Sequence, residues 1–243
     1  MEKIRRENPK PLYQQLEELI RNKIEEGEWR PNTAIPSEAE LNRMFDVSRM
    51  TVRSACSQLV QEGLLYRVPG KGTFVADAKI TTKSLAYMGF REQLERMGYE
   101  ISTELLGVEK QSASRHIARK LDRQEGTPII EIQRLRFVKG EPISLHYSYI
   151  PLEFSDRISE KQLEEEQLCV LLEHNHGLKP MRVVETLESA RARENESTLF
   201  NVDPGYPLLI LEDILYDQKD MPYEYSKVVF RGDKIKLKYE YKS

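Results

Sequence analysis

Leu12, Leu16, Leu19, Ile20 and Ile24 recur at helical spacing, and Gly27 ends the run. This predicts an amphipathic helix with one buried stripe. Pro31 and Pro36 bracket a short connection, after which Leu41, Met44 and Phe45 supply a second helical pattern. Ser37 stands at its start with Glu40 three residues on, the spacing of a capping box. Val52, Ala55, Cys56, Leu59 and Val60 predict a third helix from about Arg49 to Glu62, with Gly63 just past its end. Leu64–Val68 and Thr73–Val75 read as short strands on either side of the turn Pro69-Gly70-Lys71-Gly72. The predicted order is helix, helix, short turn, helix, two-stranded wing.

Ala76–Thr82 has no large aromatic and no periodicity, so residues 77–83 are expected to be a linker. The pattern then changes to mixed helix and strand. Met88–Met97 reads as a helix stopped by Gly98, and Ile101–Glu109 as a strand. Two stretches repeat one design: GTPIIEIQRLRFVKGEPISLHYSYIP from Gly126 and GYPLLILEDILYDQKDMPYEYSKVVF from Gly205. Each has Gly-x-Pro, an apolar strand, a polar turn ending in Pro142 or Pro222, and a second strand rich in aromatics. The offset is 79 residues before the turn and 80 after it. A helix over Glu160–His174 and a strand over Lys179–Ala190 are expected between them. The fold class predicted is α+β: a winged helix-turn-helix domain over 1–76, the linker, and an α+β domain over 84–243 built on an antiparallel sheet.

Hydrophobic residues make up 39% of the 243, enough for real cores, and 32% are charged. No apolar run approaches a membrane span, and MEKIRRENPK lacks the apolar stretch of a signal peptide, so a cytoplasmic protein without membrane contact is expected. Cys56 and Cys169 are the only cysteines, too few for a disulfide framework or a thiolate metal cluster. No metal or cofactor is expected; His174-Asn175-His176 reads as a solvated helix end. The net charge of −3 hides an asymmetry: residues 43–76 carry +3. Local charge, not the total, governs contact with a polyanion.

That basic stretch holds the third helix and the wing. Ser48, Arg49, Thr51, Arg53, Ser54 and Ser57 lie mainly away from the apolar stripe, giving a polar face with cations and no acid. A helix fits the DNA major groove, where arginine matches guanine O6 and N7. The hydroxyls of Ser37, Ser48 and Thr51 suit phosphate oxygens. Lys71, between Gly70 and Gly72, can reach a minor groove or a phosphate. The plain alternative is a solvated helix face. In the second half, Arg134 and Arg136 alternate with Leu135 on a strand and so share a face. Two guanidiniums on one face call for an anion. No Ser/His/Asp or Cys/His order with a recognisable elbow appears, nor a phosphate-binding loop before a helix.

IPSEAEL followed by VSRMTVRSACSQLVQEGLLYRVPGKGTFV resembles the winged helix of the GntR family of bacterial transcription regulators. RLRFVKGEPISLHYSYIP and YEYSKVVFRGDK resemble its HutC-type branch, whose effector module is the UTRA domain with a chorismate lyase-like fold. The resemblance implies a homodimer that reads a palindromic operator, most often as a repressor, and releases it when a small anionic metabolite binds. It assigns DNA contact to Arg49, Thr51, Arg53, Gly70, Lys71 and Gly72. Ala39 stands where the family usually has a base-contacting arginine, so the operator is expected to differ. The resemblance also assigns Arg134 and Arg136 to a phosphate and Glu224 to sugar hydroxyls. Other pocket positions are retuned: His146 for a glutamate, Phe230 for a tyrosine, Arg91 for a threonine, and Gln167-Leu168-Cys169 for a Ser-Leu-Tyr-like stretch. A sugar phosphate, an amino-sugar derivative and a carboxylate all stay open as effectors. The competing expectation, an enzyme with a DNA-binding appendage, has only His146 and Glu224 as an acid–base pair.

Overall fold

The structure, a computed structural model, describes residues 4–77, 79–83 and 90–238. The chain divides into two compact units, residues 1–79 and 80–243.

The first unit carries α1 (Leu12–Glu25), α2 (Glu38–Phe45), α3 (Arg49–Gln61), β1 (Leu65–Val68) and β2 (Gly72–Val75). The apolar stripes of the three helices meet in one core, with Leu16, Ile20, Leu41, Val52, Ala55 and Leu59 fully buried. Ser37 caps α2 in a reciprocal box with Glu40, as the spacing predicts. Asp46 then takes a left-handed conformation, φ 50°, which turns the chain into α3. The wing is antiparallel, Leu65 opposite Val75 and Val68 opposite Gly72. One element escapes the sequence reading. The connection between Pro31 and Pro36 is a third, minimal strand: Asn32 and Ile35 donate backbone hydrogen bonds to Val75 and Thr73, and Val75 donates to Thr33.

The second unit contains β3 (Ile80–Lys83), α4 (Phe90–Arg96), β4 (Ile101–Ser112), α5 (Arg115–Lys120), β5 (Pro128–Val138), β6 (Glu141–Pro151), α6 (Glu160–Glu165), α7 (Leu168–His176), β7 (Arg182–Arg191), α8 (Glu194–Phe200), β8 (Pro207–Tyr216), β9 (Pro222–Arg231) and β10 (Ile235–Lys238). Six strands form one antiparallel sheet in the order β4-β5-β6-β9-β8-β7. The repeat is larger than the two hairpins seen in the sequence. Each half is strand, helix, strand, strand, and the halves meet at the β6–β9 pairing, so the order reads alike from either edge.

Three expectations change. Residues 80–83 are not linker: β3 pairs in parallel with β10, Ile80 beside Ile235, so the backbone of that segment is committed to the second unit. The single helix expected over Glu160–His174 is two. Glu164, Glu165 and Glu166 gather like charges at the negative end of the α6 dipole, and Glu166 turns to extended backbone at φ −124° and ψ 169°. Of the helix expected over Met88–Met97, residues 88 and 89 lie outside the described residues, and the remainder is α4.

Strand register puts Arg134 beside His146, His146 beside Val228, and Val228 beside Leu211. The next row runs Ile132, Ser148, Ser226, Asp213. These residues, with Arg136 and Glu224, share one face of the sheet. That face packs Ile130, Ile132, Ile150 and Leu215 under α6 and α7, and Leu211, Val228 and Phe230 under α4. The opposite face is covered by α5 and α8 through Ile129, Tyr225, Leu145 and Val229. Between the two coverings of the first face a cavity remains.

Candidate functional site

In the first unit the cationic face is presented as the periodicity predicts. Arg49, Arg53 and Ser54 are exposed while Val52, Ala55 and Cys56 are buried on the other side. Ser48 is the N-cap of α3: its Oγ accepts from the Thr51 N–H at 3.1 Å and lies 2.8 Å from the Thr51 hydroxyl. Two residues predicted to meet DNA therefore also build the helix start. Ser37 does the same for α2, its Oγ donating to Glu40 at 2.6 Å. Gly70 and Gly72 have φ of 73° and 126°, values that a side chain would strain, and they hold Lys71 exposed at the wing tip. Ala39 is exposed on α2. Arg67 on β1 is drawn instead towards Ser57 and Glu38, at 3.1 and 3.7 Å.

In the second unit the cavity has a volume of about 220 Å³ and is walled by the sheet, α4 and the start of α7. Arg134 and Arg136 both reach it and are only 3% exposed. Arg134 Nε and Arg136 Nε and Nη1 have no hydrogen-bond partner; Arg134 Nη1 donates to the Leu163 carbonyl at 3.5 Å. A buried cation left open is costly unless something else completes it. Burial lowers both guanidinium pKa values, that of Arg136 to about 9, with Arg134 adding repulsion. Leu168, Cys169 and Val170, the first turn of α7, line the same space. Gln167 precedes them without capping the helix through its side chain, so the positive end of α7 is open to the cavity.

Two family models match the chain: bacterial regulatory proteins of the gntR family over residues 12–75, and the UTRA domain over residues 96–236. The HTH-type transcriptional repressor NagR of Bacillus subtilis is 30% identical over 231 residues, 95% of either chain. The chain is a GntR-family regulator with a UTRA domain. The probable fructoselysine utilization operon transcriptional repressor of Escherichia coli is 27% identical over 226 residues, 93% of either chain. Among solved structures, PhnF from Mycobacterium smegmatis matches 94% of this chain and 99% of its own, at 25% identity and a TM-score of 0.65. These relatives identify the branch as HutC-type. The family consists of DNA-binding transcription regulators and not enzymes; its GntR domain binds operator DNA and its UTRA domain a small-molecule effector.

In this regulator the cavity brings together four of the six predicted effector residues: Arg134, Arg136, His146 and Glu224. Arg91 is elsewhere. Its guanidinium is held by Glu95 at 2.7 Å and by the Glu164 carbonyl at 2.6 Å, and its neighbour Phe90 lines the cavity instead. Phe230 is fully buried behind the wall, edge-on to Phe90 at 5.1 Å. Its ring serves the packing of that wall. His146 bonds Ser144 Oγ at 2.9 Å and is held well below the usual imidazole pKa, chiefly by burial and then by Arg136 and Arg134, so it is neutral. Burial pushes the Cys169 thiol up to about 12, far from a thiolate nucleophile.

The sequence reading missed Asp213, Ser148 and Ser226, which also line the cavity. Asp213 stands 79 residues after Arg134, at the matching position of the second repeat. The signal was available, but only as a position where an arginine was lacking.

Proposed function

We propose that this regulator is a homodimeric repressor that leaves a palindromic operator when a small anionic metabolite enters the UTRA cavity. The observation that carries the reading is the pair of buried guanidiniums, Arg134 and Arg136, open to the cavity beside the α7 N-terminus without a contacting carboxylate among the described residues. A phosphate or carboxylate takes charge-assisted bonds from both, and helix N-terminal amides add to them. His146, neutral, is suited to a hydroxyl of the same molecule, and Glu224 to a hydrogen-bond donor on it. Arg49, Thr51 and Arg53 read base edges, and Lys71 at the wing tip meets the backbone or minor groove. Ser37 and Ser48 present N-terminal amides to phosphates rather than acting as free hydroxyls.

The relatives support the class. NagR of Bacillus subtilis is a repressor, and the Escherichia coli relatives include a fructoselysine operon repressor and a mannosyl-D-glycerate system repressor. Half-sites have a fixed spacing, so a change in the dimer's geometry weakens operator binding, and operator must weaken effector binding by the same factor. The connection between Asp77 and Ile80 is where such a change would be absorbed. A panel of phosphosugars and organic acids, screened by melting temperature and then by operator release, tests the reading. An anion that raises the melting temperature and frees the operator is the expected result. Stabilisation by neutral sugars alone would refute it.

A further inference from the structure

Opposite charges line the cavity without an ion-pair contact between them among the described residues, although Arg134 and Arg136 act on Glu224 through space. Arg134 and Arg136 come from β5, and Asp213 from β8, three strand spacings away across the sheet, or about 14 Å of backbone. Glu224 on β9 is a diagonal neighbour of Asp213, about 7–8 Å away by backbone. Ser226, directly opposite Asp213, donates to Glu224 Oε1 at 2.8 Å and lies 3.0 Å from Ser148 Oγ. Asp213 Oδ1 and Glu224 Oε2 remain buried without a hydrogen-bond partner, and Glu224 is only 5% exposed. Among the described residues the cavity contains no Lys or Arg besides Arg134 and Arg136. Arg134 and Arg136 act on Glu224 through space, but no cation is among the groups that set the charge of Asp213.

We infer that the effector is dipolar: its anion lies among Arg134, Arg136 and the start of α7, and a protonated amine at its other end lies between Asp213 and Glu224. This rests on the proposal above that the cavity takes an anion. The choice of an amine over a hydroxyl follows from donor counting. An ammonium brings three donors and a positive charge, so it can serve both carboxyls at once. A hydroxyl brings one donor and leaves the second carboxyl unmatched and uncompensated. Asp213 is held well above the usual carboxylate range, first by burial, then by Glu224 and by Glu185 on β7. An ammonium removes that repulsion; a neutral ligand leaves it in place. Acylation of the amine would abolish its charge and two of its donors.

The test uses the full-length protein and matched linear probes of increasing chain length: ω-aminoalkyl phosphates, their ω-hydroxy twins, and the N-acetylated amines, with the corresponding carboxylates as a second series. Isothermal titration should find a length at which the amine binds about tenfold or more tighter than its hydroxy twin, with the acetylated form like the twin. Asp213→Asn should bring the amine to within about twofold of its twin, costing the amine several-fold more affinity than it costs the twin. If anionic probes bind but amine and hydroxy twins agree at every length, the acidic end takes no cation and the inference is wrong. It is equally wrong if Asp213→Asn weakens both twins alike, for the residue then acts on the cavity's shape. If no phosphate or carboxylate binds at any length, the anionic reading of the cavity has failed, and this inference with it.

Discussion

Arg134 on β5 and Asp213 on β8 hold the same position in the two halves of the sheet, and both side chains line one cavity. The repeated backbone thus offers two equivalent places, and the chain has put a cation in one and an acid in the other. Symmetry of the fold does not require this; a ligand with unlike ends does.

Replacing Arg136 separates recognition from stability. Breaking a buried ion pair costs about 3–5 kcal/mol, but Arg136 has no contacting carboxylate among the described residues. Arg136→Met should keep or raise the melting temperature and retain operator binding. Effector affinity should fall roughly ten- to a hundredfold, from losing bonds worth about 1.5–3 kcal/mol. Arg136→Lys should also lose affinity, since an ammonium cannot make the planar two-point contact. Titration with the effector, alongside operator binding, gives the answer; an Arg136→Met protein that unfolds would mark the residue as structural.

Asp213 makes a pH-dependent demand on the fold. Burial, Glu224 and Glu185 raise its folded-state pKa above the unfolded one, so its contribution favours folding while it is protonated. That contribution is complete below the ordinary Asp value near 3.9 and is lost as pH rises through the folded value. At neutral pH Asp213→Asn should therefore stabilise the protein, by about 0.5–2 kcal/mol. The gain should shrink towards acid pH. Denaturant melts of both proteins across the pH range measure it, and a destabilised Asn variant at pH 7 would contradict the assignment.

The exposed cations of the first unit should divide their labour. Arg49→Ala is expected to relax base preference, at about 1–3 kcal/mol of lost discrimination. Lys71→Ala should weaken binding to all sequences alike and reduce the salt slope by about one ion. Operator titrations at several salt concentrations, on cognate and scrambled sites, distinguish the two patterns. Equal effects of Arg49→Ala on both sites would remove it from base reading.

Residues 80–243 should dimerise without the first unit. The first unit has a single small core around Leu16, Val52 and Leu59, with little surface to spare for a tight interface. Sedimentation of the isolated second unit at micromolar concentration tests this. A monomer there, beside a dimeric full-length chain, would place the interface elsewhere.

Local chemistry made the first unit legible. Ser37 with Glu40, Ser48, and the glycines around Lys71 each act within a few residues, so sequence spacing carries the geometry. What was missed there, the pairing of Asn32–Ile35 with β2, depends on a partner about 40 residues away. In the second unit the alternation of Arg134 and Arg136 was legible for the same local reason. The break before Gln167 was not, because no Gly or Pro marks the change of direction at Glu166. For Arg91 a family position gives only a backbone site, whereas Glu95 and the Glu164 carbonyl hold its side chain, from where its charge still reaches Arg136. Asp213 needed the order of four strands before it could be set in one cavity with Arg134.

The pairing of β3 with β10 bears on how the protein is made. Ile80 emerges from the ribosome about 155 residues before Ile235, its neighbour in the finished sheet. At about 5–20 residues per second, that is a wait of roughly 8–30 s. During it the first unit can fold while β3 still lacks its partner strand. The second unit thus closes on itself only when its last described strand has been made, long after the first unit has left the ribosome.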